Sequence, residues 1–285
     1  MVKINELKER YEKLNKENLR ITLRLLSPLV IPTHFIHFDS ILTDLIARKL
    51  FVHETDRWDK IEKHIDIPLP LNTYGKENKV WRASIAYING LSSEYESMWN
   101  KRMFDKYAGN VVEDTVVWGA GVLGSKRVKT SNVRFEPNRV SVPPRNKGAL
   151  RDFFEKRPVI QAESLVFFVD GNKEEIEKLL QNLHFIGKKR GIGYGQISSI
   201  SVDVINEDYS LIDSEGYPSR VIPLSEAEGL NVPDNKRNIM LHSYKPAYYN
   251  PKNRVVCLTP RLNIPKLVVD SVDDEDEFDE EIYYG

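Results

Sequence analysis

One cysteine, Cys257, stands in 285 residues, which excludes an intrachain disulfide and any cysteine-rich zinc site and fits a reducing compartment. No apolar run approaches ~18 residues and the mean hydropathy is -0.44, so neither a membrane span nor a membrane partner is expected. The first ten residues mix both charge signs and lack an apolar stretch, unlike a secretory leader; a cytoplasmic location is expected. No P-loop, G-x-S-x-G or H-E-x-x-H pattern occurs, which leaves hydrolase and nucleotidase readings without residues to act. His34 and His37 lie three apart beside Asp39, but no nearby Cys or His completes a set of three or four ligands. No metal and no cofactor is therefore expected.

What is present is a globular composition, 41% hydrophobic and 29% charged, over a length that suits one large or two small domains. The net charge of -1 hides an asymmetry. Nine carboxylates and no Lys or Arg fall between Asp270 and Glu281, and without this tail 41 bases face 33 acids, a formal charge of +8. Between Lys126 and Arg157 ten Lys/Arg face three Asp/Glu, a cluster that suits a polyanion because each neutralised phosphate releases counterions. The alternative is a solvated basic surface without a ligand.

Hydrophobic periodicity divides the chain. Ile4, Leu7, Tyr11 and Leu14 predict an amphipathic helix over 3–17. Leu19, Ile21, Leu23 and Leu25 alternate with Arg20, Thr22 and Arg24, predicting a half-buried strand with two arginines on its other face. Asp39 is read as the cap of a helix whose Ile41, Leu42, Leu45, Ile46 and Leu50 share one side. Val80–Ile88 reads as a strand, and Lys126–Gly148 as a polar hairpin or arm. Ser164–Val169 then reads as a strand, Asp170-Gly171-Asn172 as a turn, Lys173–His184 as a helix, and Gln196–Ile205 as another strand.

Together these give an α+β, ferredoxin-like domain over 19–205 with a basic β-arm inserted at about 120–150. An N-terminal helix over 1–18 precedes it. A small β-rich region over 206–269 and a disordered acidic tail over 270–285 follow.

Between the last helix and strand lies Gly187-Lys188-Lys189-Arg190-Gly191-Ile192-Gly193-Tyr194-Gly195. Its glycines let the backbone approach a ligand, its three cations attract phosphate, and Tyr194 offers a stacking surface. A plain helix-to-strand turn with incidental lysines is the competing reading. In the arm, Lys126, Arg127, Lys129, Arg134, Arg139, Arg145 and Lys147 would lie across RNA. Tyr248 and Tyr249, set among Lys245, Lys252 and Arg254, suit stacked single-stranded bases, or equally a packed seam. His34 and His37 are the candidates for a metal-independent general base acting on a 2′-hydroxyl, although histidine before a helix is commonly a capping or surface group. Gly119-Ala120-Gly121-Val122-Leu123-Gly124 satisfies G-x-G-x-x-G, but the following Ser125–Asn132 does not read as the helix a dinucleotide site requires.

The loop Ile186–Ile197 between helix and strand resembles the glycine-rich loop of the CRISPR-associated RAMP superfamily. With Ser27-Pro28-Leu29-Val30, His37–Leu42, Ile67-Pro68-Leu69-Pro70, Val80–Ser84 and Pro246-Ala247-Tyr248-Tyr249, the chain resembles the handle-binding subunits of type IV class 1 complexes over about 19–260. The resemblance implies an RRM-like ferredoxin fold with a thumb-like arm, bound to the 5′ repeat-derived handle of a guide RNA. It further implies a place at one end of a filament of backbone RAMP subunits, with a large subunit in the same complex and target nucleic acid reached through it. Type III subunits share much of this loop, and some relatives cleave precursor RNA. A non-catalytic RNA-binding subunit is the leading expectation, and an endoribonuclease the alternative.

Overall fold

Leu19, Ile21 and Leu23 are fully buried while Arg20, Thr22 and Arg24 are not, which is the alternation of a strand with one face on a core. In the computed structural model, which describes residues 2–31, 35–50, 66–101, 153–248 and 250–261, this strand is β1 (Glu17–Leu25). α1 (Val2–Glu12) precedes it and β2 (Leu29–Val30) follows. α2 (Phe38–Leu50) buries Phe38, Leu42, Leu45 and Ile46 against the sheet. Each such side chain contributes about 1.5–3 kcal/mol on burial.

The apolar stretch after Lys79 is not one strand. It is split into β4 (Val80–Trp81), which pairs with β3 (Thr73–Tyr74), and β5 (Tyr87–Lys101), which pairs with β6 (Phe153–Gly171). Between them the chain changes partner residue by residue: Ala83 bridges Val169 and Ile85 bridges His37. The expected strand Ser164–Val169 is the inner part of β6. The arm, the G-x-G-x-x-G pattern and the acidic tail all lie outside the described residues.

After β6, Asn172 caps α3 (Lys173–Leu180), its side chain accepting from the Glu175 amide at 3.0 Å. α3 stops four residues short of the expected His184. The Asn182 and Leu183 amides bond to the carbonyls of Leu179 and Leu180, a tightened i→i+3 turn that ends the helix and leaves Leu183 packed on the core. β7 (Ile197–Val204) completes an antiparallel sheet in the order β2-β6-β1-β7, with β5 alongside β6. A second antiparallel sheet has the order β8 (Ile222–Pro223), β10 (Arg254–Thr259), β9 (Asn238–Ser243). Mixed α+β architecture with antiparallel sheets is as expected.

The chain forms two compact units, residues 1–95 with 159–285, and 96–158. The glycine loop, β1, β7 and the Asp39–Arg220 pair all lie in the first. No helix among the described residues is long and apolar enough to cross a membrane.

Candidate nucleic-acid interface

The glycine segment closes the connection from α3 to β7. Phe185 bridges Gln196 across its base, and the Ile186 amide donates to the Gly195 carbonyl at 2.8 Å. Its outer side is fastened to the turn after β1. The Ser27 hydroxyl donates to the Gly193 carbonyl at 2.7 Å and accepts from the Gln196 amide at 2.9 Å. The Gly195 amide donates to the Pro28 carbonyl at 2.8 Å, and the Lys188 amide to that of Val30 at 3.1 Å. Ser27-Pro28-Leu29-Val30 thus acts as the clamp of the loop.

The glycines differ in what requires them. At Gly195, φ is +67° and a Cβ would stand 1.9 Å from the Ile186 carbonyl oxygen. At Gly187, φ is +81° and a Cβ would meet Leu29 at 2.4 Å. Both are obligatory for the turn. Gly191 has neither a positive φ nor any atom within 4 Å of a Cβ position, and Gly193 also faces open space. The short 3₁₀ turn Arg190–Ile192 carries this open backbone outward, and Lys189 enters it in the left-handed conformation at φ +58°. Lys188 and Arg190 are exposed, and Lys189 and Tyr194 are half-buried. The structure therefore brings together the loop residues singled out from sequence, as a cationic tip on a pinned base.

The second aromatic and cationic segment is turned inward. Tyr248 donates its hydroxyl to Asp39 at 2.9 Å and stacks its ring on His37 at 4.2 Å between centroids. Asp39 does not cap α2, which begins one residue earlier at Phe38, but lies in its first turn: its carboxylate pairs with Arg220 at 3.2 Å, and both side chains have no solvent exposure. Arg220 also donates to the carbonyls of Ala83 (3.2 Å), Tyr244 (2.9 Å) and Trp81. Burial pushes the Asp39 carboxyl above its ordinary range, opposed by the Arg220 guanidinium and the Tyr248 hydroxyl. The Tyr248 hydroxyl is driven well above its ordinary value by burial and by the Asp39 charge.

His37 is 3% exposed in the same centre, so its ring serves packing between Tyr248 and Phe35. His34, Tyr249 and the arm residues Lys126, Arg127, Lys129, Arg134, Arg139, Arg145 and Lys147 lie outside the described residues. Arg220 was missed in the sequence. Its only local signal is a lone cation directly before the apolar Val221-Ile222.

These features define a class: an α+β protein that presents a clamped, cationic glycine loop beside an antiparallel sheet. The family of CRISPR type IV associated protein Csf3 matches residues 17–260, and the chain belongs to that family. Among solved structures, the Csm3-Csm4 subcomplex of the type III-A CRISPR-Cas interference complex aligns over 85% of this chain and 91% of that one, at 13% identity and a TM-score of 0.33. No curated protein matches.

Proposed function

We propose that the chain is an RNA-binding subunit of a multi-subunit CRISPR ribonucleoprotein. In this reading it grips the 5′ repeat-derived handle of a guide RNA and ends a filament of backbone subunits, and it acts as a binder rather than a nuclease. The observation that carries the reading is the open backbone at Gly191 and Gly193, directly after Lys188, Lys189 and Arg190. A main chain left open to close approach on a pinned base, with cations directly before it, suits a phosphate that must come close to the backbone. Family membership supports the complex. The order β5-β6-β1-β7, with α2 after β1 and α3 after β6, supports a ferredoxin-like arrangement. Bases would be read on unstacked nucleotides, because an A-form major groove is too narrow for side chains.

Co-expression with a repeat-spacer array and the other subunits of the complex tests the reading. A discrete small RNA should co-purify, and protein recovered without one would refute it. Replacing Lys188, Lys189 and Arg190 together by Ala should flatten the dependence of log K on log salt by about two, at ~0.7 counterions per phosphate contact on single strands. An unchanged slope would mean that the loop meets protein instead. Precursor RNA incubated with the protein in EDTA should remain intact.

A further inference from the structure

We propose that the open half of the main sheet, the row Arg20-Thr22-Arg24 on β1 with Ser199 and Ser201 on β7, is a second contact surface for single-stranded RNA. The proposal rests on the RNA-binding reading of the loop and extends it over the sheet.

The register sets the row. Directly opposed residues share a face, and Arg24 stands opposite Ser199, Thr22 opposite Ser201, and Arg20 opposite Asp203. All lie on the side away from the core-facing Leu19, Ile21 and Leu23, and Arg24, Ser199 and Ser201 are exposed. Towards β6 the face closes, since Ser164 and Val166, opposite Arg24 and Thr22, are buried. The row runs up to Ser27, whose hydroxyl pins the glycine loop, so the two surfaces are continuous along the chain.

Charge pairing separates these arginines from the rest. Every described arginine forms an ion pair with a carboxylate except Arg20, Arg24, Arg190 and Arg254. Three of these four lie on the loop or on the row leading to it. Two guanidinium groups separated by hydroxyl donors on a flat strand surface match a phosphate backbone, which accepts both kinds of bond. The far end has a different chemistry. Asp203, which accepts from the Ser201 hydroxyl at 3.1 Å, repels phosphate beside Arg20, while Phe168, opposite Arg20, sits edge-on to Tyr209 with both rings half-buried. A base stacked there, with its phosphates towards Arg24, satisfies both halves.

The test is fluorescence anisotropy of the full chain with a 5′-labelled 20-nucleotide oligouridylate over a series of KCl concentrations. Arg20→Gln/Arg24→Gln should weaken binding several-fold and flatten the salt slope by about 0.7 for the phosphate contact at Arg24, and Arg20→Lys/Arg24→Lys should restore most of the slope. Arg254→Gln, an exposed unpaired arginine of the other sheet, should bind as the parent does. Parental affinity and slope in the Gln pair, with the loop triple variant impaired, would overturn this inference and leave the loop reading standing. Equal losses in the Gln pair and Arg254→Gln would reduce the effect to net charge and also overturn it. Loss of subunit assembly with RNA binding intact would assign the face to protein. Failure of the parent to bind any RNA would refute the underlying reading itself.

Discussion

At the glycine loop, Lys188 and Arg190 reach into solvent from a backbone pinned by Ser27, Gly187 and Gly195. At the second cluster of cations and aromatics, Arg220 and Tyr248 turn inward on Asp39, and neither Arg220 nor Asp39 has exposed surface. Similar residue types thus serve opposite ends. A charge withdrawn from water needs a counter-charge and filled hydrogen-bond positions, and Arg220 has a carboxylate and several carbonyls. A charge at the loop tip keeps its water and remains available to a ligand. The difference separates cations that hold the fold from cations that wait for a partner.

The contrast breaks most visibly at its buried pole. Arg220→Ala leaves Asp39 buried without a counter-charge and should cost about 3–5 kcal/mol, read as a shift of the urea midpoint. A loss below 1 kcal/mol would mean that the centre does not hold the fold. Gly195→Ala places a methyl against the Ile186 carbonyl at a positive φ, and should lower stability by about 1–3 kcal/mol. Tyr248→Phe removes one donor to Asp39 and should cost about 1–2 kcal/mol in thermal unfolding, with RNA affinity unchanged.

Gly191→Ala sharpens the contrast from the other side. Its Cβ meets nothing, so stability should move by less than about 0.5 kcal/mol, while RNA binding weakens because the methyl occupies the space a phosphate needs. Parental affinity in Gly191→Ala would show that the open backbone is not used.

Much of the frame was legible in advance. β1 and β7 show in their period of two, α2 and α3 in their spaced Leu and Ile, and the glycine loop in its composition. The Val80–Ile88 strand was misread because its residues favour strand equally well whichever partner they find, and the break comes from a change of partner that propensity does not encode. For Tyr248 the sequence leaves a stacking surface and a packed seam equally open, and the structure shows the packed one; His37 reads as a candidate base or a capping or surface group, because a histidine before a helix carries no mark of burial.

Alternation, cap residues and loop composition are local properties, set by the geometry of a few neighbouring residues, and the sequence alone determined them. Only the tertiary structure decided which side chains are paired. The Asp39 and Arg220 partners are 181 residues apart. Which glycines are obligatory, and which arginines remain without a carboxylate, depends on atoms brought in from distant segments. Local pattern places a residue on a strand or in a loop; long-range packing decides whether its charge is used up inside the protein or left for a ligand.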